Sequence, residues 1–170
     1  MDKLYIPGDL VMTNGMPIAT AKDVVYRVTT SDTSKTLELC DGTVLKGAVR
    51  LENLEGVEFG DKGFLFGDCC AWVKDIVSIP LVPSILEKNG WKKEAMSRGT
   101  QNRHWVYTKP DIKEYGYFPI YIEKGIGNEF DVYPFTDNHD CKQIAYIKYV
   151  HELQHLLFGL GINHEMEVLV

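Results

Sequence analysis

The sequence predicts a β-rich α+β protein: a small N-terminal SH3-like β-barrel, then a small antiparallel sheet with one principal C-terminal helix. Three observations carry this expectation. Short runs of β-branched and aromatic residues, separated by tight-turn dipeptides, crowd the first third of the chain. Three more runs of the same texture follow His104. Near the C-terminus, Val150 to Leu160 has the apolar spacing of an amphipathic helix. The implied organisation is a barrel over 1–59, a glycine- and aromatic-rich excursion and linker over 60–78, and an α+β domain over 79–170.

In chain order, Gly8-Asp9 opens a strand LVM that Asn14-Gly15 closes as a turn. Asp23 to Thr30, DVVYRVTT, reads as a second strand followed by a polar turn, SDTS. TLELC (Thr36 to Cys40) and Thr43 to Leu45 flank Asp41-Gly42, a hairpin signal. Val49 to Phe59 adds a further strand or two. Four or five short strands with tight turns close most economically into a barrel that hides its edges. Ile79-Pro80-Leu81-Val82-Pro83 is an extended connector, Ser84 a candidate cap for a short helix, and Asn89-Gly90 its end. Strands are expected at His104 to Thr108, Tyr115 to Glu123 and Phe130 to Phe135. Lys142 to Tyr149 is part strand and part helix entry, and Glu165 to Val170 is a last strand.

Composition narrows the function classes. The chain has 170 residues, 45% hydrophobic and 25% charged, with three Trp, nine Tyr and seven Phe, which is enough to build a core and excludes a disordered chain. A formal net charge of −6 with no run of Lys and Arg makes nucleic acid an unlikely partner. No run of about 18 apolar residues occurs, so no membrane span is expected. The first residues, MDKLYIPGDLVM, lack the apolar run of an export signal, and Cys40, Cys69, Cys70 and Cys141 form no CxxC pair. A cytoplasmic protein with reduced thiols is the reading that follows.

The chemistry concentrates in Tyr149 to Gly161, YVHELQHLLFGLG, where His151, Glu152 and His155 stand in the order H-E-x-x-H. Two imidazoles four residues apart can share one tetrahedral zinc, and a glutamate beside the first can serve as general base for a bound water. A zinc peptidase would then use His151 and His155 as ligands, Glu152 as base, and His164 or Glu165 as third ligand. His104, His139 and Asp140 are upstream candidates. Against this, a metzincin-type third ligand would fall at Gly161, and so short a motif recurs by chance. Wound at 100° per residue, Val150, Leu153, Leu156, Leu157 and Leu160 share one face. His151, Glu152, Gln154 and His155 then face water or a partner. That bland reading, an amphipathic helix without a metal, is the preferred one.

IPLVPSILEKNGW (Ile79 to Trp91) followed by IKYVHELQHLLFGLG (Ile147 to Gly161) resembles a group of short proteins encoded by Bacteroidetes genomes and their phages, to which no activity is assigned. In that group a small β segment precedes an IPL…L…GF signature, and a YVHELQ helix with an apolar tail closes the chain. The resemblance covers about Ile76 to Val170. It implies a structural helix, because the position matching His155 is often Asn, and it brings no catalytic residue. Val82 and Pro83 depart from the Thr-Pro or Thr-Glu common there, and Gly60 to Trp72 reads as an insertion.

Adjacent His139, Asp140 and Cys141 do not make a nucleophilic triad, which is assembled from separate segments. The glycines at 60, 63 and 67 lack the GK[ST] of a phosphate loop. Phe64, Phe66 and Trp72 are the candidate interaction surface, with core packing as their ordinary alternative. The sequence therefore points to a non-enzymatic accessory protein acting through a protein partner or self-association, without a cofactor. A zinc peptidase is the alternative.

Overall fold

The computed structural model describes residues 4–54, 69–98, 102–110, 120–125, 127–134 and 142–168. Contacts divide the chain into two compact units, 1–79 and 80–169. Each contains one five-stranded antiparallel sheet, so the β-rich α+β class holds.

In the first unit the strands are β1 (Leu10–Thr13), β2 (Tyr26–Glu38), β3 (Val44–Asn53), β4 (Cys69–Trp72) and β5 (Ile76–Ser78), in the order β4-β3-β2-β1-β5. A single 3-10 turn, Val73–Asp75, links the last two. Among the described residues no ladder joins β4 to β5, and the sheet is open. Strand alternation builds the core. Tyr26 and Val28 point inward while Arg27 points out, and Val49 and Leu51 are buried while Arg50 and Glu52 are not. With Tyr5, Val11, Cys69, Ala71 and Ile76 these side chains form one apolar cluster.

Two local expectations change. The polar SDTS segment is not a turn: β2 runs through it with register shifts between Val28 and Thr30 and between Asp32 and Thr36, and Asp32 accepts the Ser34 N–H and Oγ–H. The stretch assigned to excursion and linker supplies β4 and β5, since Cys69 and Ala71 complete the core at one edge of the sheet and Ile76 at the other. Residues 55–68, including Phe59, Phe64 and Phe66, lie outside the described residues.

In the second unit the sheet order is β10-β9-β8-β7-β6, from β6 (Lys92–Arg98), β7 (Asn102–Thr108), β8 (Ile120–Lys124), β9 (Phe130–Pro134) and β10 (Ala145–Ile147). Helix α1 (Pro83–Lys88) begins with Pro83 in the first turn after Val82, so Ser84 lies inside the helix rather than capping it. The principal helix α2 spans Val150–Gly159. The first helix ends at Asn89-Gly90 as expected; of the two glycines that could end the second, Gly159 lies in its last turn and Gly161, at φ +70°, follows it. The Trp91 N–H reaches back to the Leu86 carbonyl and the Ile162 N–H to the Leu157 carbonyl, and both side chains are buried. β6 carries the Lys/Glu-rich KKEAMSR, which conceals a strand from an apolar pattern search. Glu165 to Val168 is not a strand; it is held by side chains, as described below. The expected strand residues 115–119 and Phe135 lie outside the described residues, and no helix among those described is long and apolar enough to cross a membrane.

Two stability predictions follow from local geometry. Gly47, inside β3, has φ +69°, and a Cβ there would stand 2.9 Å from Val73 Cγ2 of the 3-10 turn. Gly47→Ala combines left-handed backbone strain of about 1–2 kcal/mol with overpacking of about 1–3 kcal/mol. Gly42→Ala, whose Cβ meets nothing within 4 Å, bears the strain alone. Urea titration should therefore place the Gly47 variant well below the Gly42 variant; equal midpoints would refute the close approach. Asp131 lies opposite Glu123 across β8 and β9, and burial, then Glu123 and Glu129, hold its carboxyl above the usual value. The folded state thus takes up this proton before the unfolded state on acidification, so the ionised group costs stability at neutral pH. Asp131→Asn, which keeps an oxygen for the Gln143 amide, should raise Tm at pH 7 and leave it unchanged near pH 3, where the carboxyl is already neutral.

Candidate functional site

The H-E-x-x-H residues fall in the first two turns of α2. Glu152 occupies the third helical position, and its Oε2 accepts the backbone N–H groups of Lys148 (2.7 Å) and Tyr149 (3.1 Å). That is the carboxylate half of a capping box: it satisfies N–H groups at the helix entry and sets a negative charge against the helix N-terminus. A base for a metal-bound water would have to act through Oε1 or release those bonds.

The histidines are not on a wet face. His151 is 7% exposed, its ring stacked on Tyr149 at 5.8 Å between centroids, and half-buried His155 meets it edge to face at 5.7 Å. The buried positions of α2 are Val150, His151, Leu153, Gln154 and Leu157, while Leu156 and Leu160 are only partly covered. The expected apolar stripe is thus rotated toward Gln154. The chain after α2 explains this. It turns at Gly161, buries Ile162 and Met166, and brings the His164 carbonyl 3.2 Å from Gln154 Nε2, so a fully buried amide has a partner there. Further along, the Asn89 side chain accepts the Glu167 N–H and donates to the Glu167 carbonyl, both at 2.8 Å. A salt bridge from Lys88 to Glu167 stands alongside.

His151 and His155 are therefore adjacent donors on one side of a helix, the arrangement two zinc ligands need. Among the described residues, no further candidate joins them. The His164 ring packs edge-on against Phe158 at 5.2 Å, Glu165 is exposed, and among the described residues no group of three or more His, Cys, Asp or Glu side chains could hold a metal ion. His139, Asp140, Cys141 and the His104 side chain lie outside what is described.

Two concavities of the first unit flank β4. One, of about 620 Å³, lies between β4 and the β1–β2 loop and is lined by Met16, Ile18, Leu45, Ala71, Trp72 and Lys74. The other, of about 430 Å³, lies over β2, β3 and β4 and is lined by Thr30, Lys35, Arg50, Cys70 and Trp72 among others. Cys70, Ala71 and Trp72 border both; Phe64 and Phe66 are not among the described residues. Met16 is 78% exposed and Ile18 91%, on a loop that is nevertheless tied down. Thr13 Oγ1 binds Thr20 and the Ala21 carbonyl, the Ala21 N–H donates to Tyr26, and Asn14 bonds the backbone and carboxylate of Asp75. Sequence reasoning passed over Met16 and Ile18, although MPIA is an apolar stretch inside a turn segment.

If Glu152 serves as a cap, Glu152→Ala should lower stability by about 1 kcal/mol, with Glu152→Gln recovering part of it. An unchanged urea midpoint in both would show that the carboxylate contributes nothing to the helix entry. No protein-family pattern, no curated protein and no solved structure matches this chain.

Proposed function

We propose that this is a non-enzymatic accessory protein of the cytoplasm, encoded by a phage or mobile element, that works through protein contacts made by its first unit. The observation that carries this is the pair of concavities sharing Trp72, beside a pinned loop that exposes Met16 and Ile18. An apolar surface held rigid before binding loses little ordering entropy when a partner covers it. An SH3-like small barrel is the fold reading that accompanies it, supported by the strand order β4-β3-β2-β1-β5 and the 3-10 turn between the last two strands. Such a scaffold implies no chemistry by itself. The partner is another protein or a second copy of the chain. The net charge of −6 disfavours nucleic acid.

Zinc-dependent peptidase activity through His151, His155, a third ligand such as His164, and Glu152 is the second reading, favoured by the 5.7 Å approach of the two imidazoles. It ranks second because the Glu152 carboxylate is bonded to the helix entry.

Two measurements separate these readings. Tagged protein recovered from its native cells should retain a stoichiometric partner, or sediment as a dimer, and Ile18→Asp should abolish this with the fold intact by circular dichroism. The same partners with both proteins would overturn the interaction reading at this surface. Metal analysis of untagged protein should show no stoichiometric zinc in wild type or His155→Ala; zinc present in the former and lost in the latter would promote the peptidase.

A further inference from the structure

We propose that the β6–β7 ribbon of the second unit binds single-stranded nucleic acid, its lysines holding phosphates and Trp105 stacking on a base. This goes beyond the protein contacts assigned to the first unit and stands on different residues.

The register describes a ribbon that outruns its sheet. β6 and β7 pair from Lys92↔Thr108 to Arg98↔Asn102, whereas among the described residues β7 pairs with β8 only from Val106 to Thr108. β6 is the last strand of the order. Past Val106 the ribbon is thus two strands wide, and two strands without a covering layer are marginal in water. Lys92, Lys93, Glu94, Ala95 and Trp105 are all exposed.

Composition gives the ribbon a sign. The two strands and Lys109, which follows them, hold Lys92, Lys93, Arg98, Arg103 and Lys109 against one acid, Glu94. That is five of the 18 basic residues and one of the 24 acidic ones, an excess of four positive charges in a chain of net −6. The β2–β3 ribbon has no such bias, since Lys35 and Lys46 are matched there by Glu38 and Asp41. Among the described residues no ion pair engages Lys92, Lys93 or Lys109, while Lys88 and Lys148 are held by Glu167 and Glu129. Glu94 falls on the face opposite Lys93, and the charge of Glu87 acts on Tyr107. The negative charge of the whole chain weakens attraction from afar. Salt screens it beyond about 8 Å at physiological ionic strength, so contact depends on the local set.

Trp105 decides the class of polyanion. Lysines on an edge strand guard against pairing with another sheet, which alone would account for Lys92 and Lys93. It does not account for Trp105, which is on the inner strand and 56% exposed. Trp105 lies opposite Ala95, and Lys93, two residues along β6, meets its ring on the same face with Nζ 5.2 Å from the centroid. A cation beside an open indole matches a phosphate next to an unstacked base. A duplex keeps its base faces in the stack, and an acidic peptide would engage the lysines and leave the indole exposed.

Fluorescence anisotropy tests this on the full chain with three labelled probes: oligothymidylate of about 15 nucleotides, a duplex of that length, and a polyglutamate peptide of equal charge. At low salt the single strand should bind about tenfold more tightly than the other two. Its log K should fall with log salt at a slope no steeper than about −3.5, the limit for five cations. Lys93→Glu should weaken binding about tenfold and flatten that slope. Trp105→Ala should weaken it about fivefold or more with the slope unchanged, and should remove the part of the tryptophan quenching that Trp72 and Trp91 do not supply. Trp105→Phe should restore most of the affinity. Lys142→Glu, the same charge change elsewhere, should leave affinity within about twofold. Lys93, Trp105 and Lys142 are exposed, so these variants should keep the wild-type circular dichroism. Equal binding of polyglutamate, or an equal loss in Lys142→Glu, would reduce the effect to general charge attraction and overturn the proposal. Tighter binding of the duplex, or full affinity in Trp105→Ala, would overturn the assignment to single strands. Binding of no probe would overturn it outright, and the first unit's protein partner, tested through Ile18→Asp, would stand or fall separately.

Discussion

Two buried or half-buried side-chain amides organise the second unit. Gln154 on α2 and Asn89 at the end of α1 together bind the backbone that follows α2, at His164 and at both polar groups of Glu167. Like a peptide group, a side-chain amide offers a carbonyl acceptor and an N–H donor, so Asn89 can do for Glu167 what a neighbouring strand would do. The return of the chain buries Ile162 and Met166, and it sets which face of α2 is inside.

At the other end of α2 the constraint is electrostatic. Glu152 closes the helix entry by bonding the N–H groups of Lys148 and Tyr149, and the carbonyl of Lys148 accepts the Leu81 N–H, while Pro80 bridges to Tyr149. The connector IPLVP and the helix entry YVHE are therefore joined in space. A glutamate in this position satisfies backbone donors that a helix start leaves over. The same residue in a peptidase motif would do other chemistry, so the letters H-E-x-x-H have two meanings.

The first unit is organised around β3, bonded on one side to β2 and on the other to β4, with Gly47 allowing the 3-10 turn to approach. That turn orients Asp75 toward Asn14 and so fixes the β1–β2 loop, which carries Met16 and Ile18. The surface proposed for partner binding is thus a consequence of how the loop is anchored, and not of any one residue type.

Much of the local structure was legible in the amino-acid order. Asp41-Gly42 places a hairpin, Asn89-Gly90 and Gly161 end helices, and alternation in YRV and VRLE marks which side chains enter the core. These signals are local because they depend on backbone conformation and on the period of the element. Three of the four edge strands escaped notice: KKEAMSR is polar because edges avoid exposure of apolar residues, and CCAW and IVS are too short to show a period. Trp72 was singled out, but its neighbours come from three separate segments that only pairing brings together. The sequence by itself determined where the chain turns and which residues could enter a core. Only the tertiary structure decided that Gln154 and His151 would be among them, because burial is set by what packs against a helix, and that segment lies ten or more residues away.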